Sequence, residues 1–394
     1  MKSERYGWVV VAAAFALMFV GFGAAYAFAA FFTAFQSEFG ASRAHVALVF
    51  SVAAFIWFVS GAPGGMLADR FGPRRVTLAG VACLAGALWL AGRASSVEML
   101  YVTYSVGIGL GVGLVYVPSV GAVQPWFVAN RAFASGIAVA GIGAGNFAVP
   151  LIAAWWIELF GWRGAYAALA LFVLVLGGAA AAAIKALPRP KAAPAEGLPL
   201  RAALASRQFH FLYASVVLSC IGLFIPMVHL SPFARDAGYS DAQGVALVSF
   251  IGLGSLVGRF AVGAPADRLG RPLSLALAYT GLGVMLLVWW SSREYWILAT
   301  FALAFGTFYG ASVALLPTII MDLYGARAVS GIIGCLYTGG GLGTLIGPWL
   351  AGAAYDAFGS YDVPILAGAA FSFLAAASVL PLLVRGPAQA AHRG

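Results

Sequence analysis

Twelve apolar runs of about twenty residues each, separated by short charged or Pro/Gly-rich breaks, dominate this chain and decide what it can fold into. They cover approximately residues 8–35, 45–68, 76–92, 99–124, 132–157, 164–184, 209–234, 242–265, 272–291, 295–321, 328–354 and 361–384, and are numbered here as spans 1 to 12. A helical run of that length crosses the roughly 30 Å hydrocarbon core of a bilayer. A chain that is 62% hydrophobic and only 9% charged is neither an ordinary soluble globule nor a disordered chain. The expected fold class is therefore an all-α membrane protein with twelve transmembrane helices. The first run is too long for a signal-peptide core and lacks a clear cleavage site, so it reads as an uncleaved span.

A formal net charge of +9 raises the question of nucleic acid, and the placement of the 22 Lys and Arg answers it. With both termini cytoplasmic, sixteen fall on the inner side, five (Arg43, Arg93, Arg163, Arg235 and Arg293) on the outer side, and one, Arg259, inside span 8. That asymmetry is the positive-inside pattern of a multi-pass protein of the cell's inner (plasma) membrane in contact with anionic lipid, and no nucleic-acid partner is expected. Cys83, Cys220 and Cys335 all lie in apolar runs without metal-ligand spacing, so neither a disulfide framework nor a metal or other cofactor is implied.

The chain repeats itself. Gly65-x-x-x-Asp69-Arg70-x-Gly72-x-Arg74-Arg75 follows span 2, and Gly263-x-x-x-Asp267-Arg268-x-Gly270-Arg271 follows span 8, 198 residues later. Pro150 and Pro348, and Phe160-Gly161 and Phe358-Gly359, stand at the same offset. Two six-helix halves duplicated in parallel follow, residues 1–185 and 208–394, joined by a Pro-rich basic linker at 186–207.

This duplicated loop on twelve spans resembles the major facilitator superfamily over essentially the whole chain. Asp69, Arg70, Asp267 and Arg268, with Arg131 at the start of span 5, are expected to act as gate residues between helices and not as substrate contacts. Trp126-Phe-Val-Ala-Asn-Arg131-Ala-Phe-Ala-Ser135-Gly136 resembles the motif opening span 5 of monocarboxylate porters. Tyr6-Gly7-Trp8, Pro226-Met-Val-His229-Leu, Met321-Asp322-Leu-Tyr-Gly325 and Tyr355-Asp356-x-Phe-Gly359 are similar to that family too, with the oxalate/formate exchangers close by.

Arg259 is the residue that most needs explaining. It lies about 12 Å along the helix from the polar boundary at Asp267, near mid-membrane, where a cation is costly and faces a bundle interior or wet cavity. None of the thirteen Asp and Glu sits deep in a span, so the guanidinium is expected to await an anion, its planar fork matching a carboxylate. The resemblance implies the same role. A structural ion pair is the competing reading. One deep cation neutralises one carboxylate, which favours a monocarboxylate over a dicarboxylate.

Tyr116, Tyr309, Tyr337 and Asn146 stand at similar depth and are candidate substrate contacts, with Phe28 as an apolar wall. Each has the alternative of a side chain satisfied at a helix contact. His229, in the outer half of span 7, is a candidate for proton coupling or a neutral histidine bonded between helices. The family's span 1 lysine aligns with Ala30 and its span 8 acid with Ser255, so proton linkage cannot use those positions here. The glycine runs at 107–113 and 339–343 lack the strand and lysine of a phosphate loop and are expected to let helices approach.

Together these features lead to the expectation of a monomeric secondary transporter of short monocarboxylates of the lactate or pyruvate type, coupled to a proton and working by alternating access. An anion exchanger of the oxalate/formate type and a membrane anion sensor that moves nothing are the alternatives. No nucleophile–base pair points to an enzyme.

Overall fold

A computed structural model describes residues 2–127, 131–185, 187 and 197–383. Eleven continuous apolar helical stretches in it are long enough to cross a membrane, and the stretch Phe133–Ala183 holds two of the expected spans. Gly161, at φ 67° and ψ 170°, breaks the helical path of Arg131–Phe172 and divides span 5 from span 6. The twelve-span arrangement is thereby recovered. Spans 1 and 8 are less regular than their sequences suggest. Span 1 is Lys2–Tyr26 followed by Phe28–Phe39, with a break at Ala27, and span 8 is Asp241–Ala261 followed by the short helix Gly263–Leu269.

The internal repeat reaches the backbone. Gly72 and Gly270, 198 residues apart, both end their helices at φ 87° and ψ 144°, a conformation that only glycine adopts without strain, and a proline stands in the first turn of the helix after each. Ser42 and Ser240, at the same offset, cap the start of spans 2 and 8 by accepting from the backbone N–H three residues on.

Within each half the same helix pairs touch: span 1 on span 5 and span 2 on span 4, then span 7 on span 11 and span 8 on span 10. Apolar helices gain nothing by leaving lipid for one another, so their contact depends on close van der Waals fit. Glycine provides it. A Cβ on Gly258 would strike the carbonyl oxygen of Thr307, and one on Gly310 the carbonyl oxygen of Ser255, so spans 8 and 10 meet backbone to backbone. The run at 107–113 works likewise, since a Cβ on Gly109 would fall 2.5 Å from Ile56 and one on Gly111 2.5 Å from Leu84. The two halves meet along spans 2 and 11 and along spans 5 and 8. The second seam carries Arg259.

Beyond Pro188, Pro190 and Pro194 of the linker, which lie outside the described residues, residues 197–204 run against the end of span 10, and Pro199 precedes the first turn of the helix there. Leu198 N–H donates to the Tyr324 carbonyl at 2.9 Å, and Leu200–Leu204 forms a short helix before span 7 begins at Arg207.

Candidate functional site

Span 8 is held against span 10 by the Gly258 and Gly310 contacts and against span 5 by Gly252, whose Cβ position is blocked by Asn146 and Phe147. These contacts fix the turn that carries Ser255 and Arg259, four residues apart and so on one helix face. Arg259 is partly buried, and its Nε is a buried donor without a hydrogen-bond partner. Among the described residues no carboxylate pairs with it. Ser255 Oγ and Asn146 Oδ1 are likewise buried without partners. Ser135 Oγ and Ser249 Oγ, on the same two spans, are unpartnered as well. Each such orphan costs about 1–3 kcal/mol unless something else meets it, so this seam has more unmet polar atoms than a purely structural contact needs.

Four phenols complete the site. The charge of Arg259 acts on Tyr26, Tyr116 and Tyr337, and Tyr309 interacts with the same three. Tyr26 and Tyr309 join hydroxyls at 3.3 Å, while Tyr116 and Tyr337 interact with each other. Tyr26 and Tyr116 belong to the first half, Tyr309 and Tyr337 to the second. Both pairs therefore reach across the boundary between the halves. Behind the phenols stand Phe22, edge-on to Tyr116 at 5.5 Å, and Phe58, edge-on to Tyr337 at 6.1 Å. A carboxylate at Arg259 would meet the guanidinium fork and hydroxyl donors in a largely apolar wall, the arrangement that strengthens each polar contact.

Of the residues expected from sequence, Arg259, Tyr116, Tyr309 and Tyr337 are brought together. Asn146 lies on the same seam, its Nδ2 at 4.0 Å from Met227 Sδ. Phe28 sits deeper in the first half, among Phe32, Phe35, Phe50 and Tyr104, one ring removed from Tyr26 through Phe50. Tyr26 was not foreseen. The signal for it was its position one helical turn before Ala30, on the face where the family places its span 1 lysine.

His229 belongs to a different cluster. Its Nε2–H donates to the Pro348 carbonyl at 2.8 Å, which leaves Nδ1 to accept from the Tyr361 hydroxyl at 3.0 Å, with Phe32 edge-on to the ring. Tyr361 Oη in turn accepts from Arg43 at 2.7 Å. Arg43 is bidentate to Asp236, both contacts at 2.7 Å, and lies over the ring of Tyr355 at 3.7 Å. Asp356 closes the cluster by accepting from the backbone N–H groups of Arg43 and Ala44 at 3.0 and 2.9 Å. Arg43 and Ala44 open span 2 of the first half. Phe32 belongs to span 1 of the same half, and the remaining partners come from spans 7, 11 and 12 of the second half, so the cluster clasps the halves together on the face away from the linker.

The expected gate residues lie at the opposite face. Arg70 lies over Phe71 at 5.2 Å, Asp69 is in the last turn of the long helix Arg43–Phe71 before Gly72, and Asp267 and Arg268 are in the short helix Gly263–Leu269 before Gly270. The side chain of Arg131 lies outside the described residues. Near this face Arg271 pairs with Asp322 of span 10, both within the second half.

Comparisons with known proteins agree with this picture. Residues 13–330 match the family described as the Major Facilitator Superfamily. The chain is 32% identical to monocarboxylate transporter 3 of Rattus norvegicus over 374 residues, covering 91% of this chain and 76% of the relative. It is 30% identical to monocarboxylate transporter 13 of Bos taurus over 387 residues, covering 95% and 88%. Among solved structures, a bacterial homologue of the human lysosomal transporter Spinster, inward-facing and unoccupied, superposes with a TM-score of 0.73 at 16% identity, covering 95% of this chain and 98% of that one.

Proposed function

Since the chain belongs to the major facilitator superfamily and, within it, to the monocarboxylate porter family, we propose that this transporter carries short monocarboxylates of the lactate or pyruvate type together with a proton. Membership makes it a multi-pass membrane transport protein and not an enzyme. The observation that supports the substrate class is Arg259: a cation in the last turn of the helix Asp241–Ala261, its Nε unpartnered, with no carboxylate paired to it among the described residues and phenols of both halves around it. One guanidinium balances one carboxylate, and a second carboxylate would be stranded in low dielectric at a cost of several kcal/mol.

Transport follows from where the phenols come from. If the halves rock about Arg259, Tyr26 and Tyr116 move away from Tyr309 and Tyr337, and the site opens first to one side and then to the other. On this reading both termini and the linker are cytoplasmic and the Arg43–Asp236 cluster faces outward at the plasma membrane, which the excess of Lys and Arg on the linker side supports. Neutralisation of Arg259 by its carboxylate lets the cation pass between open states, and a proton travelling with the anion makes the cycle electrically neutral.

Purified protein in liposomes, offered a panel of radiolabelled carboxylates with Arg259→Ala as the blank, tests this reading. Accumulation of lactate or pyruvate driven by a proton gradient alone is the expected result. Stronger uptake of oxalate, or accumulation only against an internal counter-anion, replaces symport of monocarboxylates with exchange. Binding without flux replaces transport with sensing.

A further inference from the structure

We infer that Arg43 is a second carboxylate site, at the outer mouth, which the substrate occupies when Asp236 releases it. The inference rests on the transport reading above, because it concerns what happens when the two halves separate on that face. Among the described residues Arg43 is the one charged or hydrogen-bonding side chain that the first half contributes to the outer cluster; its partners Asp236, Tyr355 and Tyr361 all belong to the second. Separation must therefore strip the guanidinium of every one of those partners at once.

Its side chain is only 11% exposed in the closed arrangement, against 33% for Asp236. An arginine so placed, with its acid withdrawn, is an unpaired cation at the lip of the pathway. An entering monocarboxylate has the same two-oxygen plane as the Asp236 side chain and fits the same fork. Polar neighbours from the first half stand beside Arg43 already. A surface cavity of about 290 Å³ lies between the outer ends of spans 1 and 7, with Thr33, Gln36, Arg43, Arg235 and Asp236 in its lining. Thr33 and Gln36, on span 1, stay on the side of Arg43 when the halves part, while Arg235 and Asp236 leave with span 7. Because the site is free only when the halves are apart, an anion held there stabilises the open mouth by its differential affinity, and Asp236 reclaims the guanidinium once the anion has moved inward.

The test separates this role from that of a simple clasp. Arg43→Gln and Asp236→Asn remove the same ion pair, and Arg43→Gln also removes the contacts to Tyr361 and Tyr355, so a residue that only clasps predicts changes of the same direction in both. If Arg43 also receives the substrate, Arg43→Gln raises the half-saturation concentration for L-lactate uptake from outside by about tenfold, the loss of one charge-assisted contact. Asp236→Asn, which leaves the guanidinium free, holds that concentration steady or lowers it. Arg43→Lys retains a charge without the fork and falls between. Parallel shifts in the first two variants, or no shift in Arg43→Gln, overturn the proposal. Wild-type protein that accumulates none of the carboxylates overturns the transport reading itself and this site with it, an outcome distinct from the other two. Melting curves of the purified variants confirm that each is folded, and Arg43→Lys carries the test should Arg43→Gln fail to fold.

Discussion

Tyr26 of span 1 and Tyr309 of span 10 meet hydroxyl to hydroxyl at 3.3 Å, 283 residues apart in sequence and on opposite sides of the boundary between the halves. Neither phenol can keep that bond if the halves move apart. Both lie in the electrostatic neighbourhood of the Arg259 site. A bound carboxylate offers the two hydroxyls an acceptor in place of each other. Tyr26→Phe deletes one donor and keeps the ring against Phe50 and Trp57. A neutral hydrogen bond is worth about 0.5–1.5 kcal/mol, so the half-saturation concentration for lactate should rise by roughly two- to tenfold with little change in thermal stability. Concentration-dependent uptake in liposomes measures it.

Arg259→Lys and Arg259→Gln should differ in kind. Lysine retains the charge but loses the planar fork, and glutamine loses both. With charge-assisted contacts worth about 1.5–3 kcal/mol each, lysine should cost roughly ten- to a hundredfold in uptake efficiency, and glutamine should abolish uptake. If glutamine transports as well as wild type, the anion is bound elsewhere.

Part of this site was legible in the sequence and part was not, for physical reasons. A charge in an apolar run announces itself, and depth along a helix follows from rise per residue, which is how Arg259, Tyr116, Tyr309 and Tyr337 fall together. Depth gives no azimuth. Tyr26 joins the site because span 1 packs with that face toward Tyr309 of span 10, and Phe28, two residues and about 200° further round the helix, is turned into the aromatic core of its half. The outer cluster is harder still. His229 and Tyr361 are 132 residues apart, Arg43 and Asp236 193, Arg43 and Tyr361 318; His229 alone stands out within its span, and Arg43, Asp236 and Tyr361 each read as ordinary boundary residues. The twelve spans and the repeat were legible because hydropathy and duplicated loops are local signals.

Glycine contacts on spans 8 and 10 hold the arginine in place, and their loss should appear as instability before it appears in chemistry. A side chain at Gly310 has no room beside the Ser255 backbone. Gly310→Val should destabilise the purified protein by about 1–3 kcal/mol, as overpacked helix contacts do, lowering its melting temperature while Gly86→Ala, where no atom lies within 4 Å of the added carbon, leaves it unchanged.

His229 has both ring nitrogens committed, Nε2–H to the Pro348 carbonyl and Nδ1 to the Tyr361 hydroxyl. A proton arriving at Nδ1 must displace the hydroxyl hydrogen, and it places a second positive charge beside Arg43, which Tyr361 links to the ring. The groups that answer it are the carboxylates of Asp236 and Asp356 and the phenols of Tyr355 and Tyr361, all already engaged with span 2 or with one another. Protonation therefore weakens the clasp, and a falling outer pH should favour the outward-open state. Lactate uptake should rise as outer pH falls, and His229→Ala, which removes both the proton acceptor and the link to Tyr361, should flatten that dependence. Tyr361→Phe should flatten it in part, because the ring nitrogen stays but its connection to Arg43 is gone. An unchanged pH profile in His229→Ala takes this histidine out of the coupling and leaves the proton to cross with the carboxylate at Arg259.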